Sequence, residues 1–102
     1  MLIEDIAEMR RRRGIADDDL RDEIRDLAVG DLVRLTLRAG DQTPAGETLE
    51  VRITGIRGAE FRGALAGTPA SKGLADLPVG YPIAFTAAHI HSLPKGRKVG
   101  GH

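Results

Sequence analysis

The period of the apolar positions changes near Gly30 and divides the chain in two. Before it, Leu2, Ile6 and Met9 recur at i, i+4, i+7, and Leu20, Ile24 and Leu27 repeat that spacing, which puts each trio on one stripe of a helix. Two short amphipathic helices are predicted within residues 1–28. Glu4, Asp5 and Glu8 lie early in the first and Arg10 to Arg13 lie late, the order that a helix dipole favours, and Gly14 can take a left-handed cap. Asp17, Asp18 and Asp19 stand at the start of the second, one of them as N-cap. Leu20 occupies the place where a capping box headed by Asp17 would need Glu or Gln.

Beyond Gly30 the period drops to two. Val33, Leu35 and Leu37 alternate with Arg34, Thr36 and Arg38, and after a turn-rich stretch (39–47) Leu49, Val51 and Ile53 alternate with Glu50, Arg52 and Thr54. The alternation slips between Ile53 and Ile56 across Gly55, where a bend is expected. Gly58 and Ala59 form a tight turn into a strand that puts Phe61, Gly63 and Leu65 on one face. Residues 66–80 are punctuated by Gly and Pro and read as a long loop pinned by Leu74 and Leu77. Tyr81, Ile83 and Phe85 mark a fourth strand with Pro82 at its beginning, and a tight turn leads to a short fifth strand containing Ile90. These patterns predict a mainly β chain of the α+β class: a small five-stranded, partly closed SH3-like barrel over 30–93, preceded by the helical segment 1–28 and followed by a disordered basic tail, 94–102. An OB-like barrel is the competing assignment. It would place a helix between the third and fourth strands, where the Gly and Pro content of 66–80 forbids one.

Composition narrows the class further. With 102 residues there is room for one domain, and 15 basic side chains against 15 acidic argue against a general polyanion binder. The balance is uneven: residues 1–30 hold six basic and nine acidic side chains, and 31–102 hold nine and six. No apolar run is long enough to span a membrane, and the acids in the first residues do not suit a secretory signal. The absence of Cys removes disulfides and thiolate chemistry and fits a reducing compartment. A cytoplasmic protein is the expectation.

The series Gly63-Ala64-Leu65, Pro69, Leu77, Gly80, Ile83, Phe85, His89, Ile90 and Leu93, with Val51 and Ile53 before it, resembles a bacterial family of small domains of unknown function, the YegJ-like type. The resemblance covers residues 30 to 93, and the sequence departs from the family pattern at Gly67, where Asn is usual, and at Tyr81, where an acid is usual. Some relatives are described as immunity proteins against secreted toxins. The resemblance therefore hints at a protein-binding role and does not imply a catalytic site.

Few constellations carry chemistry. His89 and His91 form an H-x-H pair that on a strand would point both imidazoles to one face as metal ligands. A third ligand is not close in sequence, since Asp76 is in the long loop and His102 in the tail. The plainer reading is that one His hydrogen-bonds a turn carbonyl. The acids around Asp17 to Asp19 lack the spacing of a calcium loop, GTPASKG (67–73) lacks the order of a phosphate loop, and Ser71 and Ser92 lack a nucleophile's context. No cofactor is expected. Arg34, Arg38, Arg52 and Arg62 fall on the predicted outward face of the strands, where Glu50 and Glu60 can pair with them across strands. With Lys72 and Tyr81 they are the expected contact surface for a protein partner. A nucleic-acid accessory role is the alternative, with Arg10 to Arg13 and Lys95, Arg97 and Lys98 as further phosphate contacts, but only Tyr81 is left to stack a base, because Phe61 and Phe85 belong to the predicted core. A third reading is a homo-oligomer formed through the two helical stripes.

Overall fold

The structure, a computed structural model, describes residues 2–14, 18–39, 46–70 and 72–94. Six strands form one antiparallel sheet: β1 (Leu2–Ile3), β2 (Leu32–Arg38), β3 (Glu47–Arg57), β4 (Glu60–Leu65), β5 (Pro82–Thr86) and β6 (Ile90–Ser92). The order β1-β2-β3-β4-β5, with β6 also on β2, curls the sheet into a nearly closed barrel, and a 3-10 turn at Ala87–His89 turns the chain from β5 into β6. Strands β2 to β6 are the five of the small, partly closed barrel that the sequence predicts, and β1 is an added sixth. Only a 3-10 turn at Lys72–Leu74 interrupts the segment between β4 and β5, which removes the helix an OB-like barrel requires.

Period-two alternation selects the interior. Val33, Leu35, Leu37, Val51, Ile53, Leu65, Phe85 and Ile90 are all fully buried, and each such side chain contributes roughly 1.5–3 kcal/mol relative to exposure. Phe61 and Phe85 stack with ring centroids 5.4 Å apart. Gly63 faces the same interior, where the Val51 and Phe85 side chains and the Arg52 carbonyl of the neighbouring strand leave no room for a Cβ. The pairing of β3 with β4 shifts register between Ile53 and Gly55, so the slip in the sequence marks a β-bulge. Leu74 is 2% exposed and anchors the long loop, whose Ala70 N–H also donates to the Glu47 carboxylate at 2.9 and 3.0 Å.

Two strands open on the same local device. In Ala28-Val29-Gly30-Asp31 and again in Pro78-Val79-Gly80-Tyr81, the fourth residue's N–H donates to the first carbonyl at 3.0 Å. Gly30 and Gly80 have φ of +100° and +93°, which makes each a type II turn. Each glycine N–H then donates to the adjacent strand, Gly30 to Ile53 and Gly80 to Leu65. Val29 and Val79 are left at the exposed tips.

The N-terminal segment departs from the helical stripe drawn through Leu2. Leu2 pairs with Arg38 and Ile3 with Leu37, and Glu4 N–H donates to the Thr36 carbonyl at 2.9 Å. The first helix, α1 (Ile6–Arg12), starts later, because Asp5 caps it by accepting the Glu8 N–H at 2.8 Å. It ends at Arg13 and Gly14, whose φ of +71° is the left-handed value expected there. The second helix, α2, spans Asp18–Arg25 and leaves Leu27 beyond its end but buried. Asp17 as a cap, the turn residues 40–45, Ser71, the tail cations Lys95, Arg97 and Lys98, and His102 lie outside the described residues.

Because β3 occupies one edge of β2, both β1 and β6 must use the other. Ser92 and Ile90 stand opposite Arg34 and Leu35, and Ile3 and Leu2 opposite Leu37 and Arg38. The two short strands therefore lie end to end as one interrupted strand. Ile6, Leu20 and Leu27 are buried within the chain. The stripes offered to a second copy are thus largely covered, with Leu2 and Met9 more exposed. No described helix is long and apolar enough to cross a membrane.

Candidate binding groove

The barrel strands bring Arg34, Arg52 and Arg62 to the outer face, as the alternation requires, but each is engaged by the protein itself. Arg34 stands opposite Glu50 and reaches the Ser92 hydroxyl at 3.4 Å. Arg52 donates to the Gly30 carbonyl at 2.7 Å, which ties the first type II turn to β3. Arg62 lies 3.5 Å from Glu60 on its own strand, so this pair is not the cross-strand one expected. Arg38 is half-buried opposite Leu2 on β1. Lys72 opens the 3-10 turn of the long loop. Tyr81 is half-buried against the core, beside Ile83 and Phe85 rather than among the arginines.

The H-x-H pair is also divided. His89 ends the 3-10 turn instead of lying on a strand, and its Nδ1 accepts the Thr86 N–H at 3.0 Å. The histidine thus takes a backbone donor, not the turn carbonyl expected. His91 is the extra residue of a bulge, since β6 advances two residues from Ile90 to Ser92 while β2 advances one. Its Nδ1 lies 2.9 Å from the Ser92 hydroxyl. No group of three potential metal ligands occurs among the described residues, and Asp76 is exposed in its loop.

The main concavity lies elsewhere, between α1, α2 and the 3-10 turn that precedes β6. It encloses about 610 Å³ over a floor of Ala7, Leu20, Ile24, Ala87, Ala88 and Ile90. Arg10, Arg11, Arg21 and Arg25 form its rim. Arg10 fixes α1 to the barrel by donating to the His91 carbonyl at 2.8 Å. Arg11 pairs with Glu8, and Arg25 lies 3.8 Å from Asp22. Arg21 makes no ion pair among the described residues. Both pairs are well exposed, and ion pairs of that kind are worth about 0–1 kcal/mol, so a ligand carboxylate can compete for either arginine.

Helical spacing builds this rim. Leu20 and Ile24 are four apart, and Arg21 and Arg25 follow each by one, so the two cations flank the apolar stripe on one side. Asp19, Asp22, Glu23 and Asp26 do not line the groove. The second helix is therefore divided lengthwise into an apolar and basic flank and an acidic one. In α1, Ala7, Arg10 and Arg11 stand at i, i+3, i+4 and present one short basic face. The signal was available in the sequence: arginines immediately after stripe positions, in both helices. What the sequence lacked was the direction in which the helices face each other. No protein-family model, curated protein or solved structure matches the chain.

Proposed function

We propose that the chain is a non-catalytic module that binds another protein, and that its contact surface is the groove between the two helices and the 3-10 turn. The arginine-rimmed apolar groove carries this reading. Arginine and buried apolar contacts are what interface hot spots are made of. On the barrel's outer face, which the strand pattern favours, Arg52 and Arg34 are held by the Gly30 carbonyl and Ser92, and Arg62, in an exposed pair with Glu60, has no apolar floor comparable to the groove's beside it among the described residues. Among the described residues the groove's lining is apolar apart from four arginines, and a guanidinium stays protonated, which suits binding better than proton transfer. The resemblance of residues 30 to 93 to the YegJ-like type, some of whose members are described as immunity proteins, favours the same class of role. The lack of cysteine fits a cytoplasmic setting.

The test is affinity capture from the native host, with retained proteins identified by mass spectrometry, using the wild-type chain, a groove variant (R21E with R25E) and an outer-face variant (R52A with R62A). Loss of a specific retained protein from the groove variant alone supports the reading. Capture that survives the groove changes but fails in the outer-face variant returns the contact to the barrel and overturns it.

A further inference from the structure

We infer that the occupant of the groove is an acidic segment of a partner protein, seated by one bulky aliphatic side chain on the floor and held by carboxylates on the rim. This rests on the reading above and adds the chemistry of the ligand. Among the described residues the floor is apolar and the charged groups at the rim are four cations, so charge complementarity selects an anion that also carries an apolar group. Guanidinium matches carboxylate through paired donors. The volume, about 610 Å³, falls within the range of sites that enclose a small ligand or a side chain with its flanking backbone.

The surroundings disfavour a polyphosphate strand. Nucleic acid needs an extended basic track, whereas the acids Asp19, Asp22, Glu23 and Asp26 occupy the other flank of α2 and would repel phosphates that continue past the rim. Among the described residues the groove is lined by no aromatic ring on which a base could stack. A short acidic segment meets the rim without crossing that flank.

Fluorescence anisotropy of the full chain tests this with labelled heptapeptides: a central leucine between three glutamates on each side, the same peptide with a central serine, and one with lysines for the glutamates. The leucine peptide is expected to bind, the serine peptide about tenfold more weakly, which is the effect of half-burying a leucine, and the lysine peptide not at all. R21E and R25E should each weaken the leucine peptide about tenfold. A7L, which fills the floor from an exposed helical position, should abolish the difference between leucine and serine peptides. Equal binding of those two peptides to the wild-type chain overturns the apolar half of the proposal. Tighter binding of an oligothymidine than of the leucine peptide replaces it with a nucleic-acid site. Groove-dependent capture of a host protein together with no peptide binding would sink this ligand assignment and leave the binding-module reading standing.

Discussion

A methyl group at Gly63 has nowhere to go. A Cβ at that position would lie 2.5 Å from Val51 Cγ1, 2.9 Å from the Arg52 carbonyl oxygen and 3.2 Å from Phe85 Cε1. The valine can turn, but the carbonyl belongs to β3 and moves only with the strand, and Phe85 is held in its stack with Phe61. Overpacking a core of this kind costs about 1–3 kcal/mol, and the backbone contact puts Gly63→Ala at the upper end. Against that, alanine in a strand recovers about 0.5–1 kcal/mol of chain entropy. The expected net loss is about 2 kcal/mol, which for a domain of this size lowers the melting temperature by roughly 8–16 °C. Circular dichroism and urea titration measure it. Two glycines serve as controls: a Cβ at Gly55 would be 3.8 Å from Arg62 Cβ, an ordinary contact, and one at Gly67 would meet nothing within 4 Å. Gly55→Ala should be nearly neutral and Gly67→Ala neutral to stabilising. Combining Val51→Ala with Gly63→Ala should cost less than the sum of the two, because the first removes the closest side-chain clash. A Gly63→Ala protein as stable as wild type would refute the close packing of Val51, Phe85 and the Arg52 carbonyl over Gly63.

Further tests bear on the loop, the turns and the 3-10 cap. Leu74→Ala should cost about 2–5 kcal/mol although it lies outside the barrel strands, since its side chain is as buried as the barrel's; a loss below 1 kcal/mol would show that the loop is not anchored there. Gly80→Ala should cost about 1–2 kcal/mol from left-handed backbone strain alone, and Val79→Ala beside it should change the urea midpoint little, because that side chain is 62% exposed. His89→Ala removes the acceptor of the Thr86 N–H and should lower stability by about 1 kcal/mol, whereas His89→Asn, which offers a carbonyl acceptor, should recover part of it; equal loss in both would rule out the capping role.

The barrel was legible because its signal is a period. Val33, Leu35 and Leu37, or Phe61, Gly63 and Leu65, declare an inward face by alternation alone, and the bulge before Gly55 appears as a missed beat in that alternation. Leu2 misled because i, i+4 spacing to Ile6 is compatible with a helix, while the deciding event is non-local: β2 has an open edge that Leu2 and Ile3 fill. His89 and His91 share a strand face only if the strand is regular, and a 3-10 turn and a bulge separate them. The groove was hidden for a related reason. Arg21 and Arg25 are visible as neighbours of the apolar stripe, but only the docking of α1, fixed by Arg10 on the His91 carbonyl, turns two helical flanks into one rim.

The interrupted strand along β2 has a consequence for synthesis. Leu2 and Ile3 can pair as soon as Arg38 has left the ribosome, but the neighbouring stretch of that edge, at Arg34 and Leu35, waits for Ile90 to Ser92. A nascent chain therefore carries half of an unpaired strand edge until Ile90 to Ser92 emerge, beside Val33 and Leu35, which the finished fold buries. Truncated products that end before Ile90 are the species in which intermolecular strand pairing should begin.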